Sequence, residues 1–328
     1  MHGHIVSSAA ERWKSTLLVT TMLASVAADG VCQSYPMKAV RIITGSVGSN
    51  VDVSSRLVAS ELTGPLGQQV IVDNRAGAVI AGDLVSKAAP DGYTVLVTGG
   101  SLWVGPLLRD NTPYDAVRDF SPIAILGKAP AVLVVHPSLL VKTVAELVAL
   151  AKARPGALNY SSGGAGGAAH LSTELFKAMT GTNLVGIFYK SDAMQVADLL
   201  GGRTQLTFGN PSGMAPLVLA RKLRALAVTS LRPSALFPGL PTVAASGVPD
   251  YESVGVAAMF VPARTAQAIV ARLSEEIAKV LGATDIRERL LRTGVEAVGS
   301  TPEELAAFMR TETARMSKVI KEAGIRAE

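Results

Sequence analysis

Val72-Asp73-Asn74-Arg75-Ala76-Gly77-Ala78 is followed after a short helical span by Lys87-Ala88-Ala89-Pro90-Asp91-Gly92-Tyr93-Thr94. The β-rich run Val70 to Val72 ends at a polar Asn-Arg pair and a glycine, a helix comes next, and the Pro-Asp-Gly-Tyr turn leads into a second apolar run at Val95 to Val97. Strand, helix and strand in succession predict a parallel crossover unit, because parallel neighbours need a long connection and a helix is its usual form.

The same alternation extends in both directions. Val40 to Ile43 and Val132 to Val135 are further strand candidates, then Leu158 to Ser161, Val185 to Tyr189, Gln205 to Phe208 and Leu226 to Val228. Thr143 with Glu146 predicts a capping box, and Arg154-Pro155-Gly156 a stop, so a helix is expected over 143–154. Ile269, Val270, Leu273, Ile277, Val280 and Leu281 share one helical face that ends at Gly282. Thr301-Pro302-Glu303-Glu304 supplies an N-cap, a proline at the first helical position and a capping carboxylate for a last long helix. The fold class read from these patterns is α/β.

Composition narrows the function. With 328 residues and 48% hydrophobic content the chain can furnish two cores. The net charge of +5 comes from 31 basic and 26 acidic residues that are scattered, with no basic run interleaved with aromatics, so nucleic acid is not an expected partner. Arg12 and Lys14, the apolar run Ser15 to Ala28 and the small-residue site Ser25-Val26-Ala27 predict a secretory signal peptide over 1–28. That run is shorter than the ~20 apolar residues a membrane-spanning helix needs. Cys32, the one cysteine, allows no internal disulfide, and Asp29-Gly30-Val31 before it lack the pattern for lipid attachment. No two histidines have metal-ligand spacing, so no metal is expected; no cofactor is expected either.

Two strand-to-helix connections are rich in small residues: Thr44-Gly45-Ser46-Val47-Gly48-Ser49-Asn50-Val51-Asp52 and Ser161-Ser162-Gly163-Gly164-Ala165-Gly166-Gly167-Ala168-Ala169-His170. Small side chains let a ligand approach the backbone, and free N–H groups at the positive end of a helix favour an anion. Candidate ligand contacts are Ser46, Val47, Gly48, Ser49 and Asp52 in the first, Gly164, Ala165, Gly166, Gly167 and His170 in the second, with Asp192 and Asn210 beyond. Asp52 equally complements a helix dipole, and His170 equally hydrogen-bonds its own loop.

The Asn74-Arg75-Ala76-Gly77-Ala78 and Pro90-Asp91-Gly92-Tyr93 pieces resemble the receptors of tripartite tricarboxylate transporters, the Bug-type periplasmic solute-binding proteins. The likeness extends through Tyr114-Asp115, Arg118-Asp119-Phe120-Ser121-Pro122, Tyr189-Lys190, Asp198-Leu199-Leu200-Gly201-Gly202, the run Leu223 to Ser230, Pro241-Thr242-Val243 and Ser246-Gly247-Val248-Pro249. The resemblance implies a two-lobed clamshell, with residues 35–135 plus 258–328 as the first lobe and 136–257 as an inserted second lobe. It further implies a monomeric, non-catalytic periplasmic receptor that holds a small carboxylate and hands it to integral-membrane transporter subunits.

Departures fall in the ligand-facing loops. Ser46-Val47-Gly48-Ser49 stands where the family has a Pro-x-Gly-Gly start, and Gly167-Ala168-Ala169 precedes His170 where hydroxyl residues are usual. Ser191-Asp192-Ala193-Met194 introduces an acid after Tyr189-Lys190, and an Asp192 facing the cleft would repel a carboxylate or pair with the amine of an amino acid. A dinucleotide-binding oxidoreductase is the alternative, since Gly164-Ala165-Gly166-Gly167-Ala168-Ala169 satisfies Gly-x-Gly-x-x-Ala; Asp192 lies beyond the ~20-residue spacing of that motif. Another alternative is a solute receptor that feeds a sensor.

Overall fold

The computed structural model describes residues 35–325, apart from 46, 48, 76, 77, 110, 164–166, 190 and 191. The expected signal peptide and Cys32 lie outside the described residues. In chain order the elements are β1 (Val40–Thr44), α1 (Asn50–Leu66), β2 (Val70–Asn74), α2 (Ala78–Ser86), β3 (Thr94–Thr98), α3 (Ser101–Leu108), β4 (Phe120–Pro130), β5 (Val132–Val135), α4 (Val144–Ala153), β6 (Asn159–Ser162), α5 (Ala168–Thr180), β7 (Val185–Phe188), α6 (Asp192–Leu200), β8 (Leu206–Gly209), α7 (Pro211–Leu219), β9 (Arg224–Val228), β10 (Val254–Pro262), α8 (Gln267–Gly282), α9 (Thr284–Arg292), β11 (Glu296–Ala297) and α10 (Pro302–Ala323). Among these, no helix is long and apolar enough to cross a membrane.

The strands form two sheets, ordered β11-β4-β10-β3-β1-β2 and β7-β6-β8-β5-β9. β1 runs parallel to β2 and β3, and β6 parallel to β7 and β8, as helical crossovers require. Val132–Val135 departs from the parallel expectation, because β5 runs antiparallel to both β8 and β9. β4 and β10 form a long antiparallel pair through the first sheet. The sequence hid β4 behind Pro122, Gly127 and Pro130, residues that argue against a strand interior.

The chain leaves the first sheet at Ala131, earlier than the expected boundary after residue 135, and returns at Val254, before the expected 258. Thr229 joins the two crossings: its hydroxyl accepts from the Ala131 N–H (2.7 Å) and lies 2.6 Å from the Ser253 carbonyl, to which it donates. The Ser253 N–H in turn donates to the Thr229 carbonyl (3.0 Å).

Apolar alternation covers the first sheet on both faces. Ile42, Val95 and Val97 face the side packed by Leu57, Val58 and Leu62 of α1, Leu273 and Ile277 of α8 and Leu290 of α9. Ile43 and Leu96 face the side packed by Val85 of α2, Leu102 and Trp103 of α3 and Leu305, Met309 and Met316 of α10. Val319 of α10 belongs instead to the second sheet's core, with Leu133, Tyr160, Phe176 and Tyr251, so one helix packs on both sheets.

Local chemistry sets the helix ends. Thr301 and Glu304 form the expected reciprocal capping box, with Pro302 at the first helical position. At α4, Thr143 caps the Glu146 N–H, but the Glu146 carboxylate reaches the Lys142 N–H (2.6 Å), so the expected reciprocal box is only half formed.

The Pro90-Asp91-Gly92-Tyr93 turn ties down the start of the described chain. The Tyr35 hydroxyl donates to the Gly92 carbonyl (2.7 Å), and the Tyr93 hydroxyl accepts from the Met37 N–H (2.9 Å). Gly92 sits at φ +79°, and a Cβ there would lie 2.5 Å from Ile269 and 2.9 Å from Tyr35. Gly92→Ala therefore combines left-handed backbone strain with a clash and should lower unfolding free energy by about 1–3 kcal/mol. Urea denaturation checks this, and an unchanged midpoint would contradict it.

Candidate functional site

The carboxyl ends of the parallel strands carry the connections of interest. In the first sheet β1 leads to α1, β2 to α2 and β3 to α3; in the second β6 leads to α5, β7 to α6 and β8 to α7. Ligands of open α/β sheets bind outside such ends, where helix N-termini point. The two sets converge: Val79 in the first turn of α2 and Leu171 in the first turn of α5 pack against the same buried cluster. On the other side Gly294, beyond α9, meets the start of α7, where a Cβ on it would lie 3.6 Å from the Ser212 nitrogen and 3.8 Å from Asn210 Oδ1.

The first connection is built from the strand outward. Ser49 is the N-cap of α1, its hydroxyl accepting from the Asp52 N–H at 3.3 Å. Val47 is exposed, while Asp52 is buried. Asn74 Nδ2 donates to the Gly45 carbonyl (2.8 Å) and to Asp52 Oδ1 (2.7 Å), and Asn74 Oδ1 accepts from Arg56 (2.6 Å). Arg56 Nε lies 3.1 Å from Asp52 Oδ1 and 3.2 Å from Oδ2. Asp52 thus helps to position the loop, and its neighbours Asn74 and Arg56 lock the end of β2 to the turn after β1. The Arg75 N–H adds a bond to the Thr44 carbonyl (2.8 Å). Arg41, followed by Arg75, hydrogen-bonds the Asp73 carboxylate and holds it below its ordinary acid range.

The second connection offers less side-chain chemistry. Gly167 is the N-cap of α5 and supplies no side-chain cap. His170 is buried in the first turn, stacked on Tyr160 with centroids 6.3 Å apart and edge-on to Phe188 at 5.0 Å. Its Nε2 lies 3.8 Å from Glu174 Oε1, which also accepts from Tyr160 (2.9 Å) and Lys177 (2.7 Å). Burial lowers the His170 pKa from 6.5 against the opposing pull of Glu174, with Lys177 adding to the lowering. This geometry ties His170 into a buried network beneath the loop.

Of the other expected contacts, Asn210 caps α7, its Oδ1 accepting from the Ser212 N–H (3.2 Å) and hydroxyl (3.0 Å). β8 neighbours β6, so Asn210 lies in the same row of strand ends as Gly167. Ser46, Gly48, Gly164, Ala165, Gly166 and the side chain of Asp192 lie outside the described residues. Sequence reasoning did not assign a site role to Asn74 or Arg56. Asn74 stood in the opening motif, and Arg56 lies one helical turn beyond Asp52. It also passed over Thr98-Gly99-Gly100-Ser101, a third small-residue turn, at the start of α3. Gly100 makes no side-chain cap there, and a Cβ on it would lie 3.7 Å from Trp103 Cζ2; the buried Trp103 Nε1 has no partner among the described residues.

Two helix-flanked sheets whose parallel strand ends meet through helix N-termini define a solute-binding receptor of the periplasmic type. The chain belongs to the tripartite tricarboxylate transporter family receptors, whose family model matches residues 54–325. It is 35% identical over 306 residues to Protein BugT of Bordetella pertussis, covering 92% of this chain and 94% of that one. It is also 35% identical over 278 residues to a protein of the tcbD-tcbE intergenic region of Pseudomonas sp. strain P51, covering 84% and 83%. Among solved structures, an R. palustris protein with adipate superposes with a TM-score of 0.76 at 34% identity, covering 90% of this chain and all of that one. The periplasmic binding protein BugD superposes at 0.73 with 27% identity, covering 90% and 100%.

Two outcomes follow from this geometry. Asn74→Ala removes the donor shared by Gly45 and Asp52 and should cost about 1–3 kcal/mol of stability, read by urea unfolding. For His170 the folded pKa is depressed, so between it and 6.5 the unfolded chain binds more protons. Its contribution to stability is therefore complete above pH 6.5 and shrinks as pH falls below it. Melting curves from pH 8 to 5 should show a decline that His170→Gln makes shallower; an equal decline in both proteins would contradict the assignment.

Proposed function

We propose that the chain is a periplasmic receptor, exported by the segment 1–28, that captures a small carboxylated solute between two lobes and presents it to the membrane subunits of a tripartite transporter. The observation that carries this reading is the convergence, from two different sheets, of the first turns of α2 and α5 on one buried cluster, with the small-residue turn into α1 following β1, the parallel neighbour of β2. Backbone N–H groups and helix dipoles from both sides suit a carboxylate and need few charged side chains. In this reading the Ser46–Ser49 and Gly164–Gly167 turns hold the anion through their backbone, while Asp52 and His170 act as positioning residues behind them. Asp192 and Asn210 stand at the edges of the cleft. The lobes correspond to the two sheets and hinge at Ala131 and Ser253, and closure around the solute creates the surface a permease reads. The adipate held by the R. palustris relative supports an acid as the solute class.

The test is calorimetric and thermal titration of the exported chain with adipate, malate, citrate, aspartate and NAD. A saturable rise in melting temperature with one or more acids is expected, since a ligand at 100 times its Kd stabilises by about 2.7 kcal/mol. Stabilisation by NAD with silence from every acid would overturn the receptor reading in favour of a dinucleotide site.

A further inference from the structure

Large exposed apolar side chains gather at the strand ends that form the cleft. Val47 follows β1 and is 74% exposed; Ile80, in the first turn of α2 after β2, is 59% exposed. In the second sheet Phe188 closes β7 at 48% exposure, and Met194 lies in the first turn of α6 at 56%. Single exposed hydrophobes are ordinary, and several occur elsewhere here, such as Leu219 at the far end of α7. These four differ in being paired by topology. β1 and β2 are adjacent parallel strands, β7 is the edge strand beside β6, and the first turns of α2 and α5 pack on one cluster. Topology therefore places apolar groups from both sheets at the carboxyl ends of the parallel strands, where the helices of the proposed site begin.

A site for a polyhydroxylated or amino acid would place hydrogen-bonding side chains at these positions, because each buried hydroxyl or ammonium needs a partner. Val47, Ile80, Phe188 and Met194 supply none of conventional strength, and on closure they would desolvate whatever lies between them. Phe188 is further held edge-on against the buried His170 ring, 5.0 Å away, so its exposed face is presented in a fixed orientation.

We infer that the solute is a carboxylic acid with an apolar body, a chain of several methylenes or an aromatic ring, whose carboxylate meets the helix N-termini while its body is covered by Val47 and Ile80 from one side and Phe188 and Met194 from the other. This inference rests on the receptor reading above and specifies its solute. It runs against the amino-acid expectation raised by Asp192.

The experiment is isothermal titration of the exported chain with adipate, suberate and benzoate against malate, citrate and aspartate, repeated at several temperatures. An apolar-bodied acid should bind at least about tenfold more tightly than every polar one, the gain expected from burying roughly two extra methylenes, and with a more negative heat-capacity change. Phe188→Ser and Val47→Ser, one from each sheet and both at exposed positions, should each narrow that gap while the unliganded melting temperature stays within a few degrees. Tighter binding of malate, citrate or aspartate, or a gap insensitive to both variants, overturns the apolar-body inference and leaves the receptor reading in place. Silence from all six acids overturns both.

Discussion

The γ-hydroxyl of Thr229 carries the connection on which the two-sheet arrangement depends. The chain passes between sheets at Ala131 and again at Ser253, and this hydroxyl accepts from the first and donates to the second. Both bonds saturate backbone groups that would otherwise lose their partners where strand pairing breaks off, and a buried unpaired backbone group is expensive. The crossing is thus narrow, ordered and made of extended chain, with no flexible tether. Helix α10 adds a second constraint, since Leu305 and Met309 are buried against the first sheet and Val319 against the second. In the proposed receptor, an opening of the sheets relative to one another would pivot about these two features.

Within that frame the loops are held from behind. A turn of small residues has little packing of its own, and its conformational entropy works against a fixed binding geometry. Asn74 resolves this at the first loop by spending its amide on the Gly45 carbonyl and on Asp52, whose carboxylate also draws in Arg56. The four groups satisfy one another and leave the N-terminus of α1 presented by backbone geometry. At the start of α5 the corresponding group is His170 and Glu174 with Tyr160 of β6, all buried, and Lys177 at its edge. Desolvation lowers that histidine's pKa and so favours its neutral form, and the Lys177 ammonium is paired with the Glu174 carboxylate inside the same group.

How much of this the sequence disclosed varies with the physics involved. Parallel units were legible because hydrophobic period and turn chemistry are local: the strands at Val40, Val70 and Val95 and the cap at Thr301 needed only a few residues each. β4 was not, since Pro122 sits beside a register shift in the pairing with β10, a long-range partner, and Pro130 stands at the strand's last position. The direction of β5 was likewise set by β8 and β9, far along the chain. The Gly-rich turns are visible in the sequence as composition alone, whereas the role of Asn74 could not be read from its neighbours. Its partners Gly45 and Asp52 are distant in sequence and meet it only because β1 and β2 pair in register from Val40↔Val70 to Thr44↔Asn74.

That register also separates what the fold fixes from what it leaves free. Residues that hold the loops, Asn74, Asp52, Arg56 and His170, point into networks behind the turns, and changing any of them disturbs the scaffold before it can alter a preference. The exposed Val47, Ile80, Phe188 and Met194, which the proposed reading puts on the cleft side, carry little of the core and can be exchanged at small cost to stability, because surface positions seldom matter by more than ~0.5 kcal/mol. Anion recognition by backbone N–H groups is indifferent to which side chains surround it. On the proposed reading, a receptor built in this way can keep one mechanism for gripping a carboxylate while solute choice is rewritten at its rim, where the exposed groups named above are aliphatic and aromatic.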